Sequence, residues 1–131
     1  RVPAEIVGRS PTYDLAVVRT EFAEKYSDTV QTWVEQQNKA VELYRSDEDK
    51  AVEAIATEIN ISADEAQAQA GDLISLTAEE QAGADYLGGG LAANLYAAAQ
   101  FNKELGEIEE VKPESAYQDA VIATWAEKVG G

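Results

Sequence analysis

The sequence predicts a mainly helical chain with one or two short β-strands, an incomplete portion of a larger α/β body. Three observations carry that expectation. Alanine-rich and glutamate-rich segments with few β-branched runs follow residue 20, and these are strong helix formers. One short run, Tyr13-Asp14-Leu15-Ala16-Val17-Val18, reads instead as a strand. A single strand cannot satisfy its own main-chain donors and acceptors, so it implies neighbours outside this chain.

The strand comes first. Gly8, Ser10 and Pro11 punctuate the chain ahead of it, and Asp14 is its one charged member. A helical turn is expected around Glu21 to Lys25. Ser27 or Asp28 then caps a long helix with Val30, Trp33, Val34, Val41 and Tyr44 on one face. Ser46-Asp47-Glu48-Asp49 restarts the chain with acids in a first turn, where the helix dipole favours them. Val52, Ile55, Ala56 and Ile59 form that helix's apolar stripe. Ser62-Ala63-Asp64-Glu65 is a capping box, and Thr77-Ala78-Glu79-Glu80 repeats it. Gly88-Gly89-Gly90 interrupts before a helix carrying Leu91, Leu95, Ala98 and Leu105, which ends at Gly106. Pro113 suits the first turn of a closing helix, whose apolar face is Tyr117, Val121, Trp125 and Val129.

Composition narrows the function. The 131 residues carry 25 acidic and 10 basic side chains, a net charge of -15. Such a field repels nucleic acid and anionic lipid, so neither is expected as a partner. Its plain physical reading is a solvated acidic coat that favours solubility. The sequence has neither histidine nor cysteine. Disulfides, thiolate or imidazole metal sites and histidine acid–base chemistry are thereby excluded within this segment, and no cofactor is expected. The chain begins at Arg1 with no apolar leader, which reads as a cut, any signal segment lying upstream or already removed.

Several constellations resemble chemistry without its spacing. Gly88-Gly89-Gly90 lacks the Lys-Ser/Thr pair of a phosphate loop and follows no strand; a hinge or a close helix approach accounts for it better. Asp47, Glu48 and Asp49 lack the alternating ligands of a calcium loop. The remaining carboxylates sit on polar helix faces. Trp33, Tyr96 and Trp125 fall at helical spacing among apolar neighbours and are expected in the core. Asp14 is left. Within an apolar run a carboxylate must find a partner or lose its charge. It either bonds nearby main-chain N–H groups or projects into a cleft toward a cationic ligand.

The stretch from Ser10 through Asp14, Val17-Val18-Arg19 and Phe22-Ala23-Glu24-Lys25 to Tyr26 resembles taurine-binding proteins of ABC importers. A looser likeness continues through Leu76–Gln81, Ala98–Gly106 and the closing helix with Tyr117. The resemblance implies a two-lobed periplasmic-binding fold of the second type. Residues 1–19 would be the crossover or hinge strand region at the ligand cleft. Residues 20–131 would be the carboxy-terminal helical part of the lobes. It further implies that Asp14 holds the ammonium group of taurine or a related sulfonate, with Thr12 and Tyr13 flanking it. The partner would be an ABC permease, the location the periplasm or the outer face of the membrane, and the protein would not be an enzyme. Ala16 and Arg9-Ser10 depart from the family's aromatic positions, which leaves the exact ligand open. Related binders of aliphatic sulfonate, nitrate or pyrimidine-type compounds, and a stand-alone acidic helical interaction module, are the alternatives. A broken lobe would also self-associate through its exposed strand.

Overall fold

A computed structural model describes residues 12–131. Gly8, Arg9, Ser10 and Pro11 lie outside the described residues, as does most of the 1–19 hinge region. Among the described residues the chain forms eight helices and no strand. They are α1 (Thr20–Lys25), α2 (Ser27–Ser46), α3 (Glu48–Ile59), α4 (Ala63–Gly71), α5 (Ala78–Ala82), α6 (Gly90–Glu104), α7 (Glu114–Ala120) and α8 (Thr124–Gly130). This corrects the α/β expectation. The run Tyr13–Val18 has the composition of a strand, but no described segment offers it a sheet, and it stays outside regular structure. Strand propensity measures fit to a sheet's surface, so without a sheet it specifies nothing.

The helices begin and end largely where local chemistry dictates. Ser62 Oγ accepts from the Glu65 N–H, and Glu65 returns a carboxylate to the Ser62 N–H at 3.0 Å. Thr77 and Glu80 repeat that arrangement at α5. Asp47 caps α3 by accepting from the Lys50 N–H. Asn60 closes α3 in the left-handed conformation, at φ 56°. Two expectations fail. Tyr26, with no side-chain cap, precedes α2 where Ser27 or Asp28 was expected to cap it. The closing helix is two helices, because Val121 turns extended, at φ -96° and ψ 120°, beside a second β-branched residue, Ile122. Consecutive β-branched residues lose rotamer freedom in a helix and weaken it there.

Helix α2 is the spine, in contact with α1, α3, α5 and α8; α3 packs on α4, and α6 pairs with α7. Small residues make the closest contacts. Ala51, Ala66, Ala78, Ala92 and Ala126 are buried together with Val30, Val52 and Leu91. A Cβ on Gly130 would stand 2.6 Å from the Glu79 Cα, so only glycine lets α8 lie this close to α5. The glycine triplet is likewise a tight turn. Cβ atoms on Gly88 or Gly90 would strike the carbonyls of Gly83 or Asp85, and Gly89 holds φ 140°.

Much apolar surface remains uncovered. Val17 is 92% exposed, Ile74 85% and Trp33 49%, so Trp33 is not the core residue its spacing suggested.

Candidate functional site

The candidate site is the segment Thr12–Arg19, which leads into α1. It is fastened at both ends. At its start the Tyr13 hydroxyl accepts a hydrogen bond from Asn94 Nδ2 on α6 at 3.2 Å, and the same amide donates to the Gly90 carbonyl at 3.0 Å. At its end Arg19, extended at φ -68° and ψ 135°, gives its carbonyl to the N–H groups of Phe22 and Ala23. Between these anchors no main-chain hydrogen bond forms with any other described residue.

Of the three residues singled out from sequence, Tyr13 is half-buried and engaged, while Thr12 and Asp14 are exposed. Asp14 makes no ion pair and accepts no side-chain hydrogen bond among the described residues. Its carboxylate is thus exposed among the described residues. Two shallow grooves lie elsewhere. One is at Glu24–Thr29, and the other brings Tyr96, Gln100 and Lys103 opposite Glu110, Lys112 and Pro113. Asn94 escaped the sequence reading because nothing local to α6 points to a tyrosine some eighty positions earlier.

The best-connected polar cluster joins α2 to α5 and is structural. Arg45 of α2 grips both carboxylate oxygens of Glu80, at 3.1 and 2.7 Å, and donates to the Ser75 carbonyl at 2.6 Å. The guanidinium, with the Thr77 N–H, holds the Glu80 carboxyl down at about 2. About two helical turns earlier on α2, Asn38 Oδ1 accepts from the Ala78 N–H at 2.7 Å. Only the capping-box role of Glu80 was visible in sequence; its partner Arg45 was not. Among the described residues no group of three acidic side chains could hold a metal ion, and no helix is long and apolar enough to cross a membrane. No family model, curated protein or solved structure matches this chain.

Proposed function

We propose that this chain belongs to the solute-binding component of an ABC importer, capturing taurine or a related amino-sulfonate outside the membrane for delivery to a permease. The observation that carries the proposal is the pattern from Ser10 to Tyr26, in which Asp14 stands where the resembling proteins place the carboxylate that meets the ligand's ammonium group. The exposure of Asp14, and its lack of a cationic partner among the described residues, support it. A carboxylate left open in this way forms a charge-assisted hydrogen bond to an ammonium group. Donors for the sulfonate, an anion, are assigned to the opposite wall of the ligand cleft. The uncovered apolar surface is the second support, since it calls for another body against it.

The test is calorimetry on the full-length protein. Asp14→Asn keeps the shape and removes the charge, and it is expected to weaken taurine binding at least tenfold. Unchanged affinity in that variant removes Asp14 from the site.

A second reading, a stand-alone acidic helical interaction module, is favoured by the eight-helix fold itself. It predicts a cooperative thermal transition for the isolated chain and no taurine binding in any context.

A further inference from the structure

We infer that the outward face of α6 is a self-association surface, on which two copies of this chain pair antiparallel about a two-fold axis. Helix α6 is apolar on two faces. On the inner one Leu91 and Ala92 are buried, and Tyr96 meets the Tyr117 ring of α7 with centroids 5.5 Å apart. On the outer one Ala93, Ala97 and Phe101 follow at four-residue intervals, which places them on a common face. All three are exposed, as is Leu105 at the helix's end. Among the described helices α6 packs only on α7, and Phe101 and Leu105 each stay 59% exposed. A helix that is apolar all round belongs in an environment that covers every side of it.

Charge and size select a second copy and its direction. Residues 86–102 hold no charged side chain, the longest such run in a sequence of net charge -15. Copies of so acidic a chain repel each other, and an uncharged helix face is where they approach against the least repulsion. Parallel pairing would set Phe101 on Phe101 and bring together the two stretches 101–110, each with four glutamates and one lysine. Antiparallel pairing holds those stretches at opposite ends. Centred between Ala97 and Phe101, it sets Phe101 of each copy beside Ala97 of the other, and Leu105 beside Ala93. Two-fold symmetry repeats both contacts. Large then meets small at every place along the row, the condition for two such ridges to interdigitate.

Sedimentation equilibrium of the full 131-residue chain tests this, with far-UV circular dichroism confirming that each variant keeps its helices. The parent is expected to dimerise with rising concentration. Ala97→Glu puts a good helix former at an exposed site of the monomer. In the dimer it sets a carboxylate against Phe101 at two symmetric places, and it is expected to weaken association roughly tenfold or more. The same change at an exposed position of α4, Ala68→Glu, is expected to leave association as it is in the parent. Size tests the direction. Ala97→Phe sets large against large and is expected to weaken the dimer roughly tenfold. Ala97→Phe with Phe101→Ala exchanges the two partners and is expected to restore it. A parent that stays monomeric, either Ala97 single variant that dimerises like the parent, Ala68→Glu that weakens the dimer equally, or a double variant that fails to recover each overturns the inference. The importer reading is scored on taurine binding by the full-length protein, so either can fail alone.

Discussion

The Asn38 side chain offers the sharpest test of how α5 is held on the spine. Ala78 is the first residue of α5, so its N–H has no partner within the helix. The residue is 1% exposed, and Asn38 Oδ1 satisfies that N–H at 2.7 Å. Replacing Asn38 by Ala removes the acceptor and leaves a buried donor unpaired. Such a loss costs about 1–3 kcal/mol. With an unfolding entropy near 2.1 cal/mol/K per residue, that becomes a fall in Tm of roughly 4–11 °C for a chain of this length. The companion variant Glu42→Ala removes only the exposed acceptor of the Asn38 amide, bonded at 2.8 Å, and is expected to change Tm by about 1 °C or less. Thermal denaturation followed by circular dichroism at 222 nm reads both. If Asn38→Ala melts with the parent, the α2–α5 contact is not held by this bond and the reasoning fails.

The Glu80 carboxyl lies at about 2, below its ordinary 4.5. A depressed carboxyl contributes stability above its unfolded value and loses it as pH falls toward the folded one. Tm is therefore expected to drop between pH 4.5 and 2, by less in Glu80→Gln, and equal drops in the two proteins would rule out Glu80 as the source. Gly130→Ala drives a Cβ into the Glu79 main chain; overpacking of this kind costs about 1–3 kcal/mol. It should lower Tm by several degrees, and an unchanged melt would mean that α8 does not lie this close to α5.

The helices were legible because their signals are local. Ser62 with Glu65, Thr77 with Glu80 and Asp47 before α3 each act within four residues, and the structure forms all three. What failed depended on distant partners. Tyr13–Val18 has strand composition, but whether it is a strand is decided by a sheet, and none lies among the described residues. Trp33 keeps the helical spacing of a core residue, yet about half of its surface stays exposed. The Arg45–Glu80 pair joins positions thirty-five apart that no local rule connects. At the candidate site, sequence singled out Asp14 by its setting and by resemblance. It could not show that Tyr13 is tied to Asn94 or that the carboxylate lies open.

The capture claim rests on one open carboxylate recognising one ammonium group. The most direct measurement is a pair of calorimetric titrations on the full-length protein, one with taurine and one with ethanesulfonate, which keeps the sulfonate and lacks the amine. The account predicts that taurine binds and that ethanesulfonate binds at least tenfold more weakly. Equal affinity for the two, or no binding of taurine, contradicts it.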